Sequence, residues 1–190
     1  MTIIKDPLQF LLAEYAQLKA EILKRSEFQH QLISVALVAL GALITVGVKD
    51  SPAALLAYPM LALFLSAAWS YNDAQIAQLG IYIRYRIEDQ LAGEGLGWEH
   101  AILSDRASRI IGARIRYATR GILWGSEVLA VFLYVLKRIS TPWPTGSAER
   151  ITEIALLALS ISAVVSTVMV MRDKDLRKEI AENIQKPVAN

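Results

Sequence analysis

The sequence predicts an all-α integral membrane protein: four transmembrane helices with long cytosolic helical extensions. Three observations carry that prediction. Two uncharged apolar runs, 32–48 and 53–71, flank the four residues Lys49-Asp50-Ser51-Pro52, and each is about long enough to cross a bilayer at ~1.5 Å per residue. The chain of 190 residues is 54% hydrophobic with a mean hydropathy of +0.37. Its apolar residues are gathered into runs rather than spread along the chain. With both termini inside, 16 of the 20 lysines and arginines fall on the inner side, and only Lys49, Lys137, Arg138 and Arg150 fall outside. That bias follows the positive-inside rule.

The elements follow in order, within one membrane domain covering 1–190. Asp6-Pro7 reads as a helix start, because Asp6 can cap free amides and Pro7 lacks an N–H that would have had no partner. Leu8, Leu11, Tyr15, Leu18 and Ile22 then recur at three-and-four spacing, the seam of an amphipathic helix over 7–31. Glu21 and Arg25 stand four apart and can pair. Nothing separates this helix from the first span, so one helix is expected from about Pro7 to about Val48. Its seam packs either on the protein's own cytosolic helices or on a second subunit.

Ser51-Pro52 repeats the cap-then-proline pattern and opens the second span, which Pro59 bends mildly. Ala62, Ser66, Ser70 and Ala74 form a stripe of small residues that lets a neighbouring helix come close. Trp69 and Tyr71 are placed at the headgroups. The cytosolic segment 72–121 continues with a second seam, Ile76, Leu79, Ile83, Ile87 and Leu91, expected to pack on the first. Gly93, Gly95 and Gly97 break it. An amphipathic helix from about Glu99 to Arg120 follows. The third span, 122–136, is short and carries Glu127, with Arg120 and Lys137 able to snorkel at its ends. Thr141 to Gly146 is a turn. The fourth span, 151–171, has its own small stripe, Ala155, Ala158, Ser162 and Ser166. The cytosolic tail 172–190 places Leu176, Ile180 and Ile184 on one face.

Several chemistries are excluded. The chain has no cysteine, hence no disulfide or thiolate. Its net charge of +2 is too small to point to nucleic acid. Residues 1–7 lack the basic-then-apolar pattern of a secretory signal, so the N-terminus is expected to be retained. Two histidines without suitably spaced carboxylates make no zinc site. Gly93, Gly95 and Gly97 follow no strand and precede no Gly-Lys-Ser/Thr, so they form no nucleotide loop. No nucleophile elbow is present. No enzymatic activity and no cofactor are expected.

Glu127 is the one acid well inside an apolar run, where a carboxylate costs about 2.5–3.5 kcal/mol. It is either an ion or proton site, or a polar lining. The alternative is a glutamate hydrogen-bonded to a neighbour such as Ser66 or Ser162, or one snorkelling beside Arg120. Glu153 reads as a first-turn charge favourable to its helix dipole. His30 and His100 are headgroup-level polar residues or pH-responsive groups. Arg106, Arg109, Arg114, Arg116 and Arg120 form either a solvated face that fixes topology or a contact for anionic lipid, worth about 1 kcal/mol per charge near the leaflet. An acidic cytosolic ligand is a further alternative.

Gly80-Ile81-Tyr82-Ile83-Arg84 followed by Gly95-Leu96-Gly97-Trp98-Glu99 resembles a family of small bacterial multi-pass membrane proteins. In that family an amphipathic helix with a Glu-Tyr pair, here Glu14-Tyr15, precedes a membrane hairpin. The resemblance covers about the first hundred residues. It implies a bacterial inner-membrane location and no catalytic residue. The four-span layout is also similar to pore-forming effectors of bacterial antiphage systems, a likeness of architecture alone. Two functions are therefore carried forward. One is a homo-oligomeric ion channel or pore-type effector, self-associating in the bilayer. The other is a non-conducting scaffold or sensor that docks a cytosolic protein. Glu127 lining an oligomer axis would favour the first; Glu127 packed inside one protomer would favour the second.

Overall fold

The computed structural model describes residues 7–89, 106–143 and 145–171, and these form four α-helices and no strand. Helix α1 runs unbroken from Pro7 to Lys49, as the absence of any internal breaker predicts. It ends where Asp50 N–H donates to the Val46 carbonyl at 2.8 Å. Ser51, the residue before a proline, turns extended at φ −143° and ψ 117°. The predicted side-chain cap is not made there. The Ser51 carbonyl instead accepts from the Ala54 N–H at 3.0 Å, opening a 3₁₀ turn, Pro52–Leu56.

Helix α2 follows, Ala57–Tyr82. Pro59 falls in its first turn, where a missing N–H removes no helix bond, so the tight 3₁₀ turn takes the place of a mid-span bend. A π-helical turn, Ile83–Glu88, continues it, with Asp89 N–H reaching five residues back to the Arg84 carbonyl at 3.2 Å. Helix α3 spans Arg106–Ile139. The amphipathic segment and the third apolar run are thus one helix, and Gly121 does not break it. Helix α4 spans Ser147–Met171. Among the described residues, three elements are long and apolar enough to cross a membrane, α1, the α2 element from Pro52 to Glu88, and α4; α3, which carries the predicted third span, is not one of them. The predicted Gly93–Gly97 break, His100 and the tail 172–190 lie outside the described residues.

The chain divides into two compact units. Among the described residues, the first draws on 7–29, 71–89 and 106–115. Its core is Ile83 and Ile87, against which Leu8, Leu11, Tyr15, Leu18 and Ile22 pack. The predicted α1 seam therefore meets Ile83 and Ile87 of the second seam, whose Leu91 lies outside the described residues. The π turn matters to that meeting, because its wider winding turns Ile83, Ile87 and the adjacent Glu88 all inward. Burying an isoleucine this fully stabilises by roughly 1.5–3 kcal/mol. Tyr82 Oη donates to Glu14 Oε1 at 3.0 Å. Arg25 pairs with Glu21 at 2.7 Å.

The second unit draws on 30–70, 116–143 and 145–171. It packs in three layers: Leu32, Ala36, Trp69, Leu123 and Met171; Leu40, Tyr58, Ala62 and Ala130; and Leu55, Leu56 and Tyr134. Ala62 lies with Ala130 and Trp69 with Leu123, so α2 and α3 run antiparallel. Trp69 is a core residue here, not a headgroup anchor; Tyr71, two residues on, is exposed. Gly47 meets the buried Leu55 so closely that a β-carbon there would collide with its side chain. That contact sets the approach of α1 to the turn after it.

Candidate functional site

Helix α3 shows the organisation of the second unit most plainly. Its outward residues are Ile122, Trp124, Val128, Leu129, Phe132, Val135 and Leu136, all exposed. Its inward stripe carries Leu123, Ser126, Glu127, Ala130 and Tyr134, all buried. Polar groups inside and apolar groups outside reverse the arrangement that water selects. Each buried polar side chain then needs a partner on a neighbouring helix.

Most have one. Thr167 Oγ1 on α4 donates to Glu127 Oε1 at 2.7 Å, with both residues 0% exposed. Tyr58 and Ser126 share a 2.7 Å hydrogen bond between α2 and α3, and Ser126 Oγ also donates to the Leu123 carbonyl at 2.7 Å. Ser160 Oγ lies 2.7 Å from the Leu56 carbonyl across to the 3₁₀ turn. Near the α3–α4 turn, Glu153 accepts from Tyr134 Oη at 2.9 Å and pairs with Arg138 at 2.8 Å. The Arg138 guanidinium stacks 4.4 Å over the Trp143 ring and also donates to the Pro142 carbonyl at 3.2 Å. Glu153 borders an open cleft of about 390 Å³ with Ser51, Glu149 and Thr152.

Glu153 is therefore not the simple first-turn charge its sequence position suggests. It is 6% exposed and closes the hairpin of α3 and α4 from within. The signal was available, since Arg138 and Tyr134 lie just before a short turn and Glu153 just after it. Their relevance depends on which face of each helix points inward, and no apolar period reveals that in a span that is apolar all round.

Three side-chain oxygens in this interior stand without a hydrogen-bond partner: Glu127 Oε2, Ser66 Oγ and Ser70 Oγ. Ser66 lies on the predicted stripe, with Ala62 at 0% exposure and Ser70 half-buried. The stripe on α4 falls elsewhere. Ala155, Ala158 and Ser162 are exposed and Ser166 is half-buried, while the helix packs through Glu153, Ser160, Ala163, Thr167 and Met171. Of the arginine series, Arg114 is exposed. Arg120 is half-buried, its guanidinium 5.9 Å over the buried Trp69 ring. The side chains of Arg106, Arg109 and Arg116 lie outside the described residues. No group of three or more metal-ligating side chains occurs among the described residues.

Comparison with protein-family models, curated proteins and solved structures finds no match to this chain.

Proposed function

We propose that this protein is a non-conducting membrane scaffold or sensor. It would cross the bacterial inner membrane four times, with both termini cytosolic, and dock a cytosolic protein through its extramembrane helices. The observation that carries this reading is Glu127. It is packed inside one protomer and bonded to Thr167, with no exposure through which it could line an axis between subunits. The fourth crossing rests on α3. Its residues 122–136 share all three core layers with helices apolar enough to span, and its outer face is apolar throughout. Its arginine-rich first half and its inward polar stripe lower its overall hydropathy without altering the surface that lipid would meet.

The absence of cysteine makes the topology directly testable. Single replacements Ser51→Cys and Thr145→Cys should be labelled by an impermeant thiol reagent on the periplasmic side, and Ala16→Cys should not. Labelling of Ala16→Cys from outside would overturn the arrangement. Liposomes holding the purified chain should leak ions no faster than empty ones. A leak abolished by Glu127→Gln would replace this reading with that of a homo-oligomeric channel or pore-type effector. One feature favours that second reading: Ala155, Ala158 and Ser162 form an exposed small-residue face on α4, which leaves room for another copy to approach closely.

A further inference from the structure

We propose that Ser66, Glu127 and Thr167 form a binding site for one small monovalent cation, a proton or an alkali-metal ion, inside the helical bundle. The helix register places them together. Ala62 on α2 packs in the same layer as Ala130 on α3, and Trp69 in the same layer as Leu123. Ser66 lies between Ala62 and Trp69 on the buried stripe of α2, and Glu127 lies between Leu123 and Ala130 on that of α3. The two residues therefore occupy one level on facing stripes. Thr167 reaches that level from α4, its hydroxyl 2.7 Å from Glu127 Oε1.

The remaining capacity at that level is one-sided. Glu127 Oε2 and Ser66 Oγ are both buried oxygens with no hydrogen-bond partner, and an unpartnered buried oxygen of a carboxyl group is costly. Among the described residues, the core layers on either side supply no positive charge. Helix α1 contributes Ala36 and Leu40 to the adjoining layers, α2 contributes Tyr58, Ala62 and Trp69, α3 contributes Leu123 and Ala130, and α4 contributes Met171. Tyr58, the titratable neighbour, is already bonded to Ser126. The described cation nearest in sequence, Arg120, is two helical turns away and stacked on Trp69. One carboxyl group and hydroxyl oxygens suit a single hard positive charge. A divalent ion would be left undercompensated. A proton would sit on Oε2; an alkali ion would be held between Oε2 and Ser66 Oγ.

The inference goes beyond the scaffold reading and does not depend on it, since it concerns binding and not flux. The purified full chain in detergent micelles is melted in choline chloride at fixed ionic strength, with choline replaced stepwise by sodium, lithium or potassium. A parallel series lowers pH from neutral to mildly acidic in choline alone. Wild-type Tm should rise and saturate in at least one series, by roughly 5–10 °C at about a hundredfold excess over Kd. The rise should vanish in Glu127→Gln. Thr167→Val and Ser66→Ala should keep the response but shift its midpoint about tenfold. A response in the metal series assigns an alkali ion; one confined to the pH series assigns a proton. A wild-type Tm that is flat in every series overturns the proposal, as does a response that Glu127→Gln retains. Should Glu127→Gln not fold, unchanged midpoints in both Thr167→Val and Ser66→Ala overturn it.

Discussion

In the unit of residues 7–29 and 71–89, Ile83 and Ile87 are buried against the α1 seam, while Lys24, Glu27 and Arg86 stand exposed. In the unit of residues 30–70, 116–143 and 145–171, Ser66, Glu127, Ser160 and Thr167 are buried, while Val38, Phe64, Phe132 and Met169 stand exposed. Helices α1, α2 and α3 each contribute to both units, while α4 belongs to the second alone. On the reading proposed above, what differs is the solvent each surface meets. Water drives apolar groups together, so the first unit coheres through its isoleucine core. Lipid tails are as apolar as leucine, so in a bilayer the second would cohere through close packing and hydrogen bonds between helices.

The largest effect is expected where the second unit buries opposite charges. Arg138 and Glu153 are paired at 2.8 Å with side chains 10% and 8% exposed. Removing either alone, as Arg138→Leu or Glu153→Leu, leaves the other charge uncompensated and should cost about 3–5 kcal/mol. The double variant should recover most of that loss. Denaturant unfolding in mixed micelles, arranged as a double-mutant cycle, measures the difference. Two single losses that simply add would mean that the pair does not hold the α3–α4 hairpin.

A paired truncation sharpens the contrast between the units. Ile87→Ala removes a core side chain that is 1% exposed and should cost about 2–5 kcal/mol. Phe64→Ala removes a larger side chain that is 67% exposed. Because that side chain exchanges protein for lipid or detergent, the change should stay within about 0.5 kcal/mol. Thermal unfolding of both variants in the same micelles gives the ratio. A Phe64→Ala loss as large as that of Ile87→Ala would show that the outward face of α2 is covered by protein.

The same contrast explains what the sequence made legible. In the first unit, three-and-four spacing named the residues that meet: Leu8, Leu11, Tyr15, Leu18 and Ile22 against Ile83 and Ile87. The three-and-four spacing there fixes the helix phase, although Phe10, Leu12, Leu23 and Phe28 stay exposed on its other sides. The Glu14-Tyr15 and Tyr82-Ile83 pairs also meet, through the Tyr82–Glu14 hydrogen bond and the packing of Tyr15 on the isoleucine core. In the second unit the span boundaries were legible from Pro52 and from the α3–α4 turn, but the inward face was not. On α4 the small residues at 155, 158 and 162 and the polar ones at 153, 160 and 167 are both compatible with packing, and lipid does not discriminate by hydropathy alone. Trp69 looked like a headgroup anchor for the same reason. The π turn has no sequence signature beyond the crowding of Ile83, Ile87 and Glu88 that it resolves.

The smallest effect lies in the first unit, at the Tyr82–Glu14 hydrogen bond. Tyr82 is 38% exposed, so the bond contributes little to stability, but it leaves a titration signature. The hydrogen bond to the Glu14 carboxylate holds the Tyr82 hydroxyl above its ordinary 10.0, with desolvation adding to it. A group whose folded pKa is raised contributes stability that is complete below the unfolded value. That contribution is lost as pH rises through the folded value. The bond should therefore act fully at neutral pH and fade only above pH 10.0. Ultraviolet tyrosinate titration, taken as the difference between wild type and Tyr82→Phe, isolates this residue. Glu14→Gln, which keeps an acceptor but removes the charge, should move the Tyr82 midpoint down toward the ordinary value. An unmoved midpoint would mean that Tyr82 does not meet Glu14 in solution, and that the first unit is held by its isoleucines without help from this pair.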